Sequence, residues 1–228
     1  EHCYEQGKDG PLKREHLKSW PIKSQKSEDN GKTFSAVDKE WNQTVGDSRM
    51  VHLLPTGARL YLFGYRINNK GQLAATPNKI WDGKEAKYLA QGHPLQLTFV
   101  RNVWRISSEA GVVIGQDLLE GNNPPMRTWL MTAKGATKLD MFKGKVVVDV
   151  FRRADTGEFL VLTRPGTSPQ APAEGVKTTW TVHVSSDMQK FAEALTFEST
   201  TNMESVAFWK GGIYLGASSG YLFRTQGK

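Results

Sequence analysis

The chain has 228 residues, a formal net charge of +7, and a composition that is 38% apolar and 10% aromatic. This balance excludes a disordered chain, and the length suits one large all-β domain or two small ones. No apolar run reaches the about 18 residues that suggest a membrane-spanning helix. The basic residues are too dispersed for a nucleic-acid-binding face. We therefore expect neither a membrane span nor a nucleic-acid partner.

The chain contains a single cysteine, Cys3, which excludes a disulfide framework and a cysteine-based metal site. The five histidines are scattered singly, without the spacing of a metal site. We therefore predict no metal ion and no cofactor. Because the chain begins at Glu1 rather than at a methionine, we expect a processed or truncated form.

Short apolar strands alternate with turn residues along most of the chain, which is the pattern of an all-β fold. The first 23 residues are polar, and the segment 17–24 is a candidate strand before a polar turn at 27–34. Directly after this turn, 37–46 is predicted to form an outer strand and a loop between blades. The further predicted strands lie at 50–54, 59–67, 72–76, 85–89, 95–106, 111–117, 128–132, 145–151, 158–163, 179–184, 192–197, 204–209, 213–217 and 221–224. A Pro- and Gly-rich insertion, 164–175, interrupts the series and is a candidate recognition loop.

A regular spacing of turn residues groups these strands into repeats. Asp29, Asp82, Gly135 and Asp187 follow one another at intervals of 53, 53 and 52 residues. A period near 50 with four strands per repeat predicts a β-propeller. We predict a single domain over 1–228 with about five four-stranded blades, in which the N-terminal segment supplies the missing outer strand. The alternative is a fragment of a six-bladed propeller.

The polar turn at 27–34 has the sequence SEDNGKTF. In such a turn the side chains of the serine and the aspartate accept hydrogen bonds from backbone amides, and the glycine adopts a positive φ. We expect the aromatic ring that closes the turn to pack beneath it. The turn therefore staples a hairpin and performs no chemistry itself. The residues with these structural roles are Ser27, Asp29, Gly31, Thr33 and Phe34.

This turn resembles the Asp-box, or BNR repeat, of the sialidase-like β-propellers, whose pattern is S-x-D-x-G-x-T-F/W. The segment 185–191 resembles a degraded copy, in which Gln189 stands in place of the glycine. The resemblance implies that the boxes lie on the outer rim of a propeller, away from any ligand. It also implies a secreted or periplasmic protein.

Sialidase activity requires residues that this sequence does not assemble. A sialidase holds the substrate carboxylate with three arginines, because a guanidinium pairs bidentately with a carboxylate. Its N-terminal arginine lies in an F/Y-R-I-P motif, whereas the first arginine of this chain, Arg14, lies in the segment LKRE. The residues therefore favour a binding module over an enzyme.

Candidate ligand-binding residues follow from where propellers bind. Ligands lie where the innermost strands begin, because those strand ends surround the central channel. This rule selects Asp47, Arg49, Gln96, Asp149 and Glu204. Arg101 and Arg152 near predicted inner strands, which also suit solvated strand ends, and Trp104 near a turn between blades complete the candidate set. The tryptophan is a candidate for stacking on a sugar, although a tryptophan at this place also suits packing between blades.

Two of these residues, Asp149 and Glu204, form the candidate catalytic pair of the alternative function, a glycoside hydrolase. Asp149 lies in the apolar segment VVVDV, where a carboxylate needs a partner. A salt bridge to Arg101 or Arg152 explains this carboxylate equally well, and we favour the salt bridge. The sequence thus predicts a secreted propeller that binds a glycan or a protein ligand without catalysis, and it leaves the oligomeric state open.

Overall fold

The structure is a computed structural model that describes residues 25–36, 48–54, 59–64, 66–67, 73–74, 77–81, 85–107, 110–121, 124–132 and 134–225. The candidate strand at 17–24 and the candidate ligand residue Asp47 lie outside these residues. The chain divides into two compact units, Glu1–Ser48 and Arg49–Lys228. The single domain over 1–228 stays a prediction.

The described part of the first unit is a short hairpin, and the rest of the described chain forms antiparallel sheets. The hairpin pairs β1 (Gln25–Lys26) with β2 (Ser35–Ala36) across the polar turn. Sheet A consists of β3 (Ser48–Leu54), β4 (Arg59–Gly64), β7 (Lys79–Trp81) and β8 (Ala86–Tyr88), with the small hairpin of β5 (Arg66–Ile67) and β6 (Leu73–Ala74) between them in sequence.

Three further sheets follow in chain order. Sheet B consists of β9 (Thr98–Arg105), β10 (Ala110–Asp117), β11 (Met126–Thr132) and β12 (Gly135–Lys138). Sheet C consists of β13 (Lys145–Arg152), β14 (Phe159–Pro165), β15 (Thr178–Ser185) and β16 (Ala192–Ser199). Sheet D consists of β17 (Met203–Trp209), β18 (Gly212–Ala217) and β19 (Leu222–Arg224).

Strands in sheets B, C and D pair in the order in which they occur in the chain, so each sheet is a meander of consecutive hairpins. The all-β class is therefore confirmed, and sheets B and C have the predicted four strands. Closure of the sheets into a ring and the number of blades stay predictions.

Apolar layers separate consecutive sheets, because strands such as β14 bury both of their faces. Leu160 and Leu162 of β14 pack towards sheet D, while Val161 between them packs towards sheet B. Each such side chain contributes about 1.5–3 kcal/mol when it leaves water. The layer between A and B contains Ile80, Leu89, Leu95, Val113, Trp129 and Met131; the layer between B and C contains Ile106, Val112, Ile114, Met126, Val147, Val161 and Met188; the layer between C and D contains Leu160, Leu162, Trp180, Val182, Val206 and Leu215.

The first strands of sheets B, C and D begin at the same end of this stack. Between C and D, Val206 donates its backbone N–H to Asp149, and further along both strands the Arg153 guanidinium lies 3.8 Å from the centre of the Phe208 ring. Between B and C, the amide of Met126 donates to the carbonyl of Thr167, which joins the ends where β9 and β13 begin. We call this end of the stack the strand-start end and the opposite end the strand-finish end.

Candidate functional site

Each first strand of sheets B, C and D contains a β-bulge at a corresponding position. In β9 the extra residue is Arg101, because Val100 and Asn102 on either side of it pair with consecutive residues of β10. In β13 the extra residue is Val148, and in β17 it is Glu204. A bulge bends its strand, turns side chains away from the regular alternation and is common beside binding sites.

In β9 and β13 a short polar side chain follows the bulge and accepts backbone N–H groups where the ladder is irregular. Asn102 Oδ1 accepts the N–H of Val103 at 2.8 Å, and Asp149 Oδ1 accepts the N–H of Val150 at 2.9 Å. Asp149 Oδ2 accepts the N–H of Val206 in the next sheet, also at 2.9 Å. The Asp149 carboxylate is therefore a staple between sheets C and D.

This arrangement corrects the salt bridge that the sequence favours for Asp149. The carboxylate forms no ion pair in the described structure, and each of its oxygens accepts a backbone amide instead. Arg101 donates to Gln116 Oε1 at 3.3 Å and stacks on the Phe99 ring, while Arg152 lies 5.7 Å from the centre of the Phe159 ring.

The structure brings some of the predicted site residues to corresponding places and separates others. Arg101 and Glu204 are bulge residues with exposed side chains, and the half-buried Asp149 directly follows a bulge. Trp104 and Arg152 lie near the strand-finish end, where the half-buried indole of Trp104 packs against the layer between B and C.

Two further candidates lie away from the bulges. Gln96 lies in the connection before β9, where its carbonyl accepts the amide of Asn78 at 2.8 Å. Arg49 lies in β3, of which only the backbone is described. The candidate set is therefore divided between the bulges, the strand-finish end and sheet A.

The insertion at 164–175 is held by an arginine that the sequence analysis did not single out. Arg164 is only 6% exposed, and its guanidinium donates to the carbonyls of Pro165, Ser168 and Gln170. Burial lowers the pKa of this guanidinium, and the three carbonyl dipoles offset the cost of burying the charge. The signal in the sequence was a charge that closes the apolar run FLVLT.

Contacts with both neighbouring sheets fix the same insertion across the strand-start end. Thr167 accepts the Met126 amide at 2.9 Å from sheet B. On the other side, buried Asn202 donates to the carbonyl of Pro172 at 2.8 Å, and Ser218 donates to Glu174 at 2.7 Å. The loop is therefore a built surface that spans three sheets.

The polar turn at 27–34 has the hydrogen bonds that its sequence predicts. Ser27 Oγ accepts the amide of Gly31 at 2.7 Å, and Asp29 Oδ1 accepts the amides of Lys32 and Thr33. The hydroxyl and the amide of Thr33, followed by the hydroxyl of Ser27, lower the pKa of Asp29 to about 2. The ring of Phe34 is 62% exposed, so its predicted packing beneath the turn is wrong.

The second polar turn, at 185–191, is one residue shorter than the first, which corrects the reading of Gln189 as a substitute for glycine. Ser185 Oγ accepts the amide three residues on, that of Met188, where Ser27 accepts the amide four residues on. The two amides bound by Asp187 are likewise shifted by one position. The glycine of the first turn has no counterpart in the second.

Metal and membrane sites have clear structural requirements. Within the described ranges, no three His, Cys, Asp or Glu side chains are grouped so that they could hold a metal ion. In the same part of the chain, no helix has the length and apolarity needed to cross a membrane.

Comparison of the chain with protein-family models gives no match, and comparison with curated proteins gives none either. The resemblance to sialidase-like propellers therefore depends on the two polar turns and on the repeated sheets.

Proposed function

We propose that this chain is a non-catalytic binding module of the sialidase-like propeller type, which recognises a glycan or a protein ligand at its strand-start end. The observation that carries the proposal is the insertion 164–175, which hydrogen bonds from Met126, Asn202 and Ser218 fix across three sheets. Recognition residues commonly lie on loops that a rigid scaffold positions.

The propeller part of the proposal is supported by the repeated meanders. Sheets A to D follow one another in the chain and share apolar layers, as neighbouring blades do. The first strands β13 and β17 run in the same direction and are joined by Asp149. Successive sheets with this arrangement are what a ring of blades requires.

The hydrogen bonds of Asp149, one of the two candidate carboxylates, favour a binding role over hydrolysis. A glycoside hydrolase needs two carboxyl groups that are free to protonate the leaving oxygen and to attack or to activate water. Both oxygens of Asp149 accept backbone amides, one of them from the next sheet, so this carboxylate already has a structural role. Glu204 alone does not make such a pair.

The loop can be tested without disturbing its supports. Ala171 and Ala173 are exposed in the insertion, and the double variant A171R/A173R adds bulk to the outer surface of the loop. We expect loss of binding to any ligand found on a glycan array or by protein capture, with an unchanged unfolding midpoint. The matched control is A192R/A194R, two exposed alanines at the same spacing on β16.

Each outcome bears on the proposal. Binding that A171R/A173R abolishes and A192R/A194R retains supports it. Binding that both variants retain places recognition elsewhere and contradicts the proposed site. Turnover of aryl-glycosides that is lost in Glu204→Gln replaces the binding module with a hydrolase.

A further inference from the structure

A row of cations lies at the strand-finish end of sheets B, C and D. β9 ends in Trp104-Arg105, β13 ends in Phe151-Arg152, and β17 ends in Phe208-Trp209 with Lys210 directly after it. Because the three strands begin at the same end of the stack, these cations also share an end. We call Arg105, Arg152 and Lys210 the cation row.

The side chains of the cation row are exposed and free of carboxylates. In the described structure none of the three forms an ion pair. Arg105 donates to the carbonyl of Ser107, Arg152 lies over the Phe159 ring, and Lys210 lies 4.3 Å from the centre of the Trp209 ring. Their charges are thus available to an anion in solvent.

Three carboxylates that the structure describes in the turns of this end are already engaged. Asp155 and Glu158 both bind Arg153, at 2.9 and 2.8 Å. Asp187 accepts two backbone amides of its own turn. Exposed Lys134 and Lys190 lie in the other turns of this end and add positive charge, while Glu193, at the start of β16, is an exposed carboxylate of the same end.

An aromatic platform adjoins the row on sheet D. Trp209 is 58% exposed, and its ring lies 6.0 Å from that of Tyr214. The Arg224 guanidinium lies over the Tyr214 ring, 5.5 Å from its centre. A flat ring beside a cation is suited to the apolar face and the acidic group of a charged sugar.

We infer that the strand-finish end binds an acidic polysaccharide, one that carries carboxylate or sulfate groups along its chain. Consecutive stacked sheets are about 10 Å apart, so the cation row is a sparse line of charges. Duplex DNA carries one negative charge per about 1.7 Å, which this line does not match. In a polysaccharide that carries a charge on every one or two sugars, the charges are farther apart than in duplex DNA. Their spacing is therefore more similar to the spacing of the cation row. The inference adds a site at the end opposite the insertion and does not depend on it.

The test measures binding to heparin, as the sulfated probe, and to polygalacturonate, as the carboxylated probe, at several salt concentrations. The triple variant R105Q/R152Q/K210Q is expected to weaken binding by about tenfold or more, because each exposed charge contact contributes modestly. The slope of log affinity against log salt is expected to fall by roughly two to three, since each lost contact removes about one. The probe that binds more tightly shows whether the site prefers sulfate or carboxylate groups.

The matched control is K87Q/K143Q/K177Q, which removes the same net charge at exposed lysines elsewhere. Equal weakening in the control shows that only net charge matters and overturns the inference. So does absence of binding by the unmodified protein in low salt, or tighter binding of single-stranded DNA than of both polysaccharides. Loss of binding in A171R/A173R alone supports the loop proposal and contradicts the row as the site for that ligand.

Discussion

The two polar turns have nearly the same hydrogen bonds but opposite relations to the core. The turn at 27–34 matches the Asp-box pattern at every defined position, yet Phe34 is exposed. The turn at 185–191 matches it less well, yet Met188 is buried in the layer between B and C, and Phe191 packs edge-on against Phe142 at 5.0 Å.

The difference separates what a motif encodes from what its surroundings add. The serine and the aspartate bind amides a few residues away, so these contacts form from local sequence alone. Burial of the aromatic residue needs a neighbouring sheet to bury it against. The shorter turn also places Met188 at a φ of 58°, which a buried methionine adopts only where packing compensates the strain.

Met188→Ala tests the dependence of the second turn on its core contact, and it has the largest expected effect. The side chain is 1% exposed, so its removal is expected to lower the free energy of unfolding by about 2–5 kcal/mol. Urea denaturation measures this change. The corresponding first-turn variant, Asn30→Ala, is expected to cost far less, and equal losses would remove the contrast between the turns.

Phe191→Ala and Phe34→Ala form a matched pair for the aromatic position. The half-buried Phe191 contacts Phe142, and its loss is expected to cost roughly 2 kcal/mol, about half the value for a fully buried ring. Loss of the exposed Phe34 is expected to stay within about 0.5 kcal/mol. Denaturation midpoints at constant m-value report both changes, and a larger effect at Phe34 would contradict the structure.

Acid unfolding tests the layer into which the second turn packs. Burial lowers the pKa of His183, Lys145 lowers it further, and Glu193 opposes them. The pKa of this imidazole is near 6.5 in the unfolded chain and lower in the folded protein. Its contribution to stability is therefore fully present above pH 6.5 and is lost as the pH falls through the folded pKa. His183→Gln is expected to flatten the decline measured between pH 7 and 5, and an unchanged slope would show that other groups cause it. Burial also lowers the pKa of His93, which makes His93→Gln the comparison variant.

Protonation of the two aspartates is expected to have the smallest effect on the stability of the protein. The pKa of Asp29 is about 2 and that of Asp187 is also lowered, each by hydrogen bonds to its own turn. The stabilisation of each turn is therefore present above pH 3.8 and is lost as the pH falls through the folded pKa. Carbon-detected NMR of the carboxyl groups measures both values. An ordinary pKa at Asp29 would mean that the turn does not form.

Local and periodic signals in the sequence predict much of this fold. Alternating apolar strands with turn residues between them give sheets B, C and D nearly as the structure has them, because hairpin order follows directly from chain order. The hydrogen bonds that the side chains of Ser27 and Asp29 accept from backbone amides were predictable, because they also form within a few residues.

Features that depend on two sheets were not predictable. The staple from Asp149 to Val206 joins residues in different sheets, and no pattern in the segment VVVDV distinguishes it from an ion pair. The bulge at Glu204 is visible only in the register of its pairing with β18. The role of Arg164 requires the path of the loop that folds over it.

Binding without catalysis can be tested by measuring both affinity and cleavage on one glycan panel. We expect that a glycan is bound at micromolar concentration and that its mass and its number of reducing ends stay unchanged. We also expect that Asp149→Asn changes the unfolding midpoint and leaves the affinity for the glycan unchanged. Cleavage of the bound glycan by the unmodified protein, abolished in a folded Asp149→Asn variant, would contradict binding without catalysis.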